Sequence, residues 1–82
     1  MEILGPRWTA LVLRELLLGP RRFSELQRGL PGIPTNLLSA RVRQLEGLGL
    51  VERTRRPSDG RRAWSLTELG ESVRPALLAI GA

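Results

Sequence analysis

The sequence predicts a mainly α chain carrying one small β-hairpin, an α+β class, and three observations predict it. Apolar residues recur at helical spacing over four stretches, about 6–18, 24–29, 35–48 and 67–80. Between the third and fourth, the spacing changes to that of two strands, about 50–55 and 61–66, around Pro57-Ser58-Asp59-Gly60, which has strong turn chemistry. The 82 residues suffice for one core, so they read as a single domain, 1–82, small enough for a partner subunit to supply part of its stability.

The first helix opens at Pro6, whose missing N–H is harmless at a first helical position. Trp8, Leu11, Val12 and Leu16 fall on one side and Ala10, Leu13 and Leu17 on another, so this helix is apolar nearly all round and expects burial on two sides. A second copy of the chain is the expected second cover, with Ile3, Leu4, Leu13 and Leu17 facing it; the alternative is that the chain's own termini do the covering. Gly19-Pro20 ends the helix, and Arg21, Arg22 and Phe23 form an extended link. Ser24-x-x-Gln27 has the pattern of a capping box and opens a short second helix with Phe23, Leu26 and Leu30 inward. Gly29 to Pro34 then turns the chain.

The third helix is the one the rest is arranged around. Thr35 is expected to cap it and Gly49 to stop it. Leu38, Val42 and Leu45, flanked by Leu37 and Leu48, seek a core. Asn36, Ser39, Ala40 and Arg43 lie opposite, and no acid occurs on that face before Glu46. Short helix, glycine-containing turn and longer helix with a polar outer face is the order of a helix-turn-helix. The hairpin directly after it, with Trp64 and Leu66 two apart on one strand face, is then a wing. Thr67 with Glu68 and Glu71 opens the last helix, acids at its positive end. Leu69, Val73, Leu77 and Ile80 form its apolar stripe, and Pro75 is expected to kink or divide it. Leu77, Leu78 and Ile80 exceed what a monomer's last turn needs, which again points to a second subunit.

Thirteen cations against eight acids give a net charge of +5 and a pI near 11.6, which favours a polyanionic partner. All thirteen are arginine, the side chain that forks onto phosphates and guanine edges, although a lysine-free chain also fits a biased genome. The absence of cysteine and histidine excludes disulfides, thiol redox sensing, cysteine nucleophiles and the common zinc sites. No cofactor or metal site is expected, and no clustered carboxylate pair or glycine-rich phosphate loop suggests an enzyme. With no signal-peptide h-region and no apolar run long enough to span a membrane, a cytoplasmic location is expected.

The order of residues resembles the HxlR family of bacterial winged-helix transcriptional regulators, with MarR-type regulators as more distant relatives. The resemblance covers nearly the whole chain and rests on several blocks. These are Arg7-Trp8-Thr9 through Leu13-Arg14-Glu15-Leu16, Gly19-Pro20-Arg21-Arg22-Phe23 before Glu25-Leu26, Pro31-Gly32-Ile33, Leu38-Ser39-x-Arg41-Val42 with Leu45-Glu46, Gly49-Leu50-Val51-Glu52-Arg53, and Ser65-Leu66-Thr67-x-x-Gly70. It implies a DNA-binding dimer joined through first and last helices. Three departures stand out: no N-terminal cysteine of the kind that senses oxidants in this family, Pro34 where Ser is usual, and a wing, Ser58 to Trp64, closer to the MarR type.

Asn36 and Arg43 are the expected base readers, because Asn bonds adenine and Arg bonds guanine in bidentate fashion. Thr35 and Ser39 either touch phosphate or a thymine methyl, or only cap and solvate the helix; Ala40 matters by being small. Arg53, Arg55, Arg56, Arg61 and Arg62 put five cations on ten residues with one acid, Asp59. Arg55, Arg56, Arg61 and Arg62 are assigned to minor groove or flanking phosphate, and Arg53 is expected to point elsewhere. Arg21, Arg22 and Ser24 are possible phosphate contacts or plain surface. Arg41 falls on the leucine side of its helix and needs a partner, expected to be Glu15, with Glu25 second. The function expected is a homodimeric, sequence-specific regulator of a double-stranded DNA operator, repression being the commoner outcome; the alternative is a winged-helix protein-interaction module. No small-molecule effector can be named.

Overall fold

The computed structural model describes residues 4–81, with side chains from 8 to 79. Ile3 and the side chains of Leu4 and Ile80 lie outside the described residues. Five helices and one hairpin follow in the order α1 (Leu4–Leu16), α2 (Phe23–Gly29), α3 (Thr35–Gly47), β1 (Val51–Arg55), β2 (Arg62–Leu66), α4 (Glu68–Glu71) and α5 (Arg74–Gly81). This is the α+β arrangement expected, with shifted boundaries. No helix among the described residues is long and apolar enough to cross a membrane.

α1 stops at Leu16 rather than Leu18. The amides of Leu17, Leu18 and Gly19 each reach back three residues instead of four, to Arg14, Glu15 and Leu16, and Gly19 has φ of 121°. That tightening turn leaves the carbonyls satisfied and the chain redirected before Pro20. α3 ends at Gly47, one residue short of the expected Leu48, and Gly49 supplies the expected stop with φ of 78°. The Leu50 amide bonds the Leu45 carbonyl at 3.0 Å and the Gly49 amide bonds Glu46 at 3.0 Å, the paired bonds of a Schellman motif.

Both expected N-caps of the helix-turn-helix move. Pro34, in extended conformation, precedes the first helical residue of α3, and no side chain caps that end. The Thr35 hydroxyl instead accepts a hydrogen bond from Gln27 Nε2 at 2.9 Å, tying α2 to the start of α3. In α2, Arg22 holds the cap position, and the Glu25 carboxylate accepts its backbone N–H at 2.8 Å. Ser24 and Gln27 therefore do not form the capping box; the acid three residues after the cap does that part, because the cap falls at Arg22, two residues before the serine.

The core is built where α1, α3 and α5 meet the base of the hairpin. Val12, Leu16, Leu26, Leu38, Val42 and Leu45 are all but fully enclosed, joined by Leu13, Leu30, Ile33, Val51, Leu66 and Leu77. Leu48, expected to flank this core, is 62% exposed because it lies past the last helical turn. Pro75 divides the last helix as expected: its missing N–H would have faced the Glu71 carbonyl, and the chain turns at Ser72–Val73 instead. Leu69, on α4 before the break, is exposed, whereas Leu77 on α5 is buried.

The strands pair antiparallel, from Val51 opposite Leu66 to Arg55 opposite Arg62. Arg21 adds a bridge on the free side of β2, exchanging backbone hydrogen bonds with Trp64 at 2.9 and 2.7 Å. At the foot of the hairpin, the Thr67 hydroxyl donates to the Gly49 carbonyl at 2.5 Å and accepts from the Gly70 amide at 3.0 Å. One side chain thus caps α4 and holds it to the exit of α3. Gly70 is buried directly against the Leu50 carbonyl, where no Cβ fits.

Candidate nucleic-acid interface

α3 is amphipathic in the way its sequence dictates, so burial of Leu38, Val42 and Leu45 turns the opposite face outward. Thr35, Asn36, Ala40 and Arg43 are exposed and Ser39 is half-buried. Arg43 Nη2 donates to Ser39 Oγ, one turn back, at 3.0 Å, which lays the guanidinium along the helix surface. No acidic residue lies on this face until Glu46, and Glu46 is occupied: Arg53 Nε reaches it at 3.2 Å. The same Arg53 guanidinium sits 5.0 Å from the centre of the Trp64 ring, a cation–π contact that fixes it on the hairpin.

The wing arginines divide into two kinds. Arg55, Arg61 and Arg62 are exposed, and Arg55 and Arg62 stand directly opposite one another across the strands. Like charges so placed repel, and Arg55 is steadied by its Nη1 donating to the Gly60 carbonyl at 3.0 Å. Between Phe23 and this face runs an open groove of about 550 Å³ walled by Arg53, Arg55, Arg62 and Trp64. Arg56 is different. Its side chain is only 17% exposed, and it is shared between Glu25 at 2.5 Å and Asp59 at 2.6 Å.

That pairing sets the electrostatics at the hairpin's side. Hydrogen bonds from Arg56 and, secondarily, from the Arg22 amide hold the Glu25 carboxyl down at about 2. Arg56 and the Arg61 amide hold Asp59 at about 2. Arg56 in turn is pushed above its ordinary value by its bonds to the two carboxylates, Asp59 first. All three groups are charged throughout the physiological range.

Arg21 and Arg22 lie at the foot of the hairpin, half-buried; Arg21 is engaged through its backbone with Trp64, and its Nη1 donates to the Pro20 carbonyl at 3.3 Å. Ser24 is half-buried in the first turn of α2. The expected Arg41–Glu15 pair does not form. Glu15 lies instead against Gly29 at the end of α2, its carboxylate filling the space a Cβ would need there. Glu25, the second choice, is taken by Arg56. Arg41 donates from Nη1 to Gln44 at 3.3 Å, and its Nε is buried without a hydrogen-bond partner among the described residues.

Of the residues assigned to a dimer face, Leu13 and Leu77 are enclosed within the protomer, because α5 packs back on α1. Leu17 is half-buried, and Leu78 is 57% exposed on α5. Sequence reasoning missed Gln27 as the side chain that holds Thr35, and it missed the role of Glu25. Asp59 was legible as Arg56's neighbour three residues on in a turn, but Glu25 lies 31 residues away.

A helix-turn-helix with an exposed, acid-free outer helix face, followed by a basic antiparallel hairpin bridged to the link before α2, defines a winged helix-turn-helix. The HxlR-like helix-turn-helix family profile matches residues 3–82, and the chain belongs to that family. A Mycobacterium tuberculosis protein described as an HTH-type transcriptional regulator is 44% identical over 81 residues, covering 98% of this chain and 51% of its own. The chain thus spans about half the length of that relative. The reduced form of the transcriptional regulator YodB from Bacillus subtilis superposes with a TM-score of 0.80 at 32% identity, over 95% of this chain and 78% of that one. A protein described as an HxlR family transcriptional factor from Thermoplasma volcanium superposes with a TM-score of 0.75 at 32% identity, over 94% and 70% of the two chains. The match decides the branch that the form of the wing left open.

Proposed function

We propose that this chain is a sequence-specific, double-stranded-DNA-binding transcriptional regulator that works as a homodimer in the cytoplasm. The observation that carries the reading is the exposed face of α3, Asn36, Ser39, Ala40 and Arg43, free of unpaired acid and followed by a wing on which Arg55 and Arg62 face one another. α3 enters the major groove with Asn36 and Arg43 reading base edges. Arg55, Arg61 and Arg62 grip flanking phosphates or an adjacent minor groove. Thr35 is held by Gln27, so its part is to set the angle between α2 and α3 rather than to reach a base.

Dimerisation through α1 and α5 places two recognition helices about 34 Å apart, in successive major grooves of an operator. Among the described residues assigned to that face, exposed Leu78 and half-buried Leu17 are left open for it. Occupancy of an operator that overlaps a promoter represses the gene by excluding polymerase. None of these 82 residues is a cysteine, so none of them senses an oxidant through a thiol.

The test is selection of duplexes from a randomised pool at two salt concentrations. A twofold-symmetric site is expected. Asn36→Ala and Arg43→Ala each relax one base position by about 1–3 kcal/mol, whereas Arg55→Ala weakens all sequences alike and lowers the salt slope by roughly 1. Weak, sequence-blind binding indifferent to all three changes sinks this reading in favour of a protein-interaction module.

A further inference from the structure

We propose that Arg56 is a positioning residue: it latches the wing to the first helix of the helix-turn-helix and so fixes the wing arginines relative to α3. The inference rests on the DNA-binding reading above, within which Arg56 would otherwise count as one more phosphate contact. Its surroundings say otherwise. Nη1 donates to Glu25 Oε1 at 2.5 Å, Nη2 to Asp59 Oδ2 at 2.6 Å, and Nε to Asp59 Oδ1 at 3.3 Å. All three nitrogens of the fork are engaged, and the side chain is largely enclosed, whereas Arg55, Arg61 and Arg62 are open to solvent.

Each carboxylate also holds a backbone amide. Glu25 accepts from the Arg22 N–H at the start of α2, and Asp59 accepts from the Arg61 N–H at 3.0 Å. A continuous line of hydrogen bonds therefore runs from the N-terminus of α2, through Arg56, to Arg61, the residue just before the return strand. Among the described residues this is the one hydrogen-bonded link between the turn at 56–61 and the helices; the Arg21–Trp64 bridge holds the strand lower down. A two-stranded hairpin is marginal by itself, so what anchors its far end decides whether its charges occupy one place or many. Held in one place, the wing binds DNA without first losing that freedom.

The latch explains why two acids sit among arginines on a surface meant for a polyanion. It also inverts the sign of a simple experiment. Were Arg56 a direct phosphate contact, neutralising Glu25 would free it and remove a repulsive charge, and binding would tighten. With Arg56 as latch, Glu25→Gln weakens binding although it makes the protein more positive.

The experiment measures affinity for a duplex of roughly 30 base pairs, about three helical turns, chosen by the wild-type protein from a randomised pool. Wild type is compared with Glu25→Gln, Arg56→Ala and the double variant. The expected result is a loss of about fivefold to tenfold for each single variant and no further loss in the double, the mark of two residues acting as one unit. Unchanged or tighter binding by Glu25→Gln overturns the proposal. Amide hydrogen exchange of Gly60 and Arg61 in the free protein supplies a readout without DNA. It is expected to rise about tenfold in Glu25→Gln, the size that losing a charged hydrogen bond implies; unchanged exchange also overturns the latch. If wild type captures no duplex at all, the DNA-binding reading fails and the positioning role with it, while the exchange measurement still decides whether the latch holds the turn.

Discussion

Replacing Gly70 by alanine sets two principles against each other, and their magnitudes decide the sign. Gly70 lies in α4, where helix propensity alone favours alanine by about 1 kcal/mol. A Cβ there, however, falls on the Leu50 carbonyl oxygen, inside any approach that real side chains make, and 3.1 Å from Leu66 Cδ2. The obstacle is backbone held by the Schellman turn after α3, so it does not swing away as a side-chain tip would. Overpacking of this kind costs about 1–3 kcal/mol, and a fixed carbonyl puts it at the upper end, leaving a net loss of about 2 kcal/mol after the propensity gain. At roughly 4–8 °C per kcal/mol for a domain of this size, the melting temperature falls by about 8–16 °C. Gly47→Ala is the control. Gly47 is also helical, in α3, but a Cβ there meets nothing within 4 Å, so the same substitution stabilises by about 0.5–1 kcal/mol. Thermal and urea unfolding of the two variants beside wild type gives the comparison. A Gly70→Ala protein as stable as wild type, or a Gly47→Ala protein as damaged as its counterpart, refutes the packing argument.

Two further outcomes are expected. Because the Glu25 and Asp59 carboxyls are both held at about 2 in the folded chain, against the ordinary carboxylate values of the unfolded one, their stabilisation is complete above about pH 4.5 and is lost as the pH falls toward 2. Melting curves across that window should show the loss, and Glu25→Gln should flatten part of it; an unchanged profile contradicts the charged pairing. Leu78→Glu leaves the protomer's melting temperature within a few degrees, since this side chain is exposed in the single chain, a site where substitutions usually change stability by no more than about 0.5 kcal/mol. It should convert a dimer to monomer in sedimentation velocity; a dimer that persists places the interface elsewhere.

The fold was legible wherever a local rule decides the outcome. The inward residues of α3 follow from helical period, the stop at Gly49 from the need for positive φ, and the division of the last helix from proline's missing N–H. The errors arose where a distant group outbid a local one. Thr35 would cap α3 on local grounds, but Gln27 reaches it across the turn. Glu15 was assigned to Arg41 because both lie on inward faces, yet period gives only direction around an axis, not the distance between two axes; Gly29 leaves an opening that the carboxylate fills first. Arg56 read as one cation of five because charge density is local. Its commitment to Glu25 depends on how the hairpin is set against α2, which no spacing within either segment encodes. Leu13 and Leu77 looked surplus because each helix was counted alone, whereas packed together they satisfy one another.

The opposed Arg55 and Arg62 give ionic strength two contrary effects on the same molecule. In the free protein their repulsion works against the hairpin, and added salt screens it, so the uncomplexed wing becomes firmer as salt rises. If the wing grips DNA as proposed, the same two charges would displace condensed counterions there, and added salt would oppose that displacement. On the proposed function, the wing is therefore least settled when alone in dilute buffer, and that same buffer is where a polyanion would engage it most tightly.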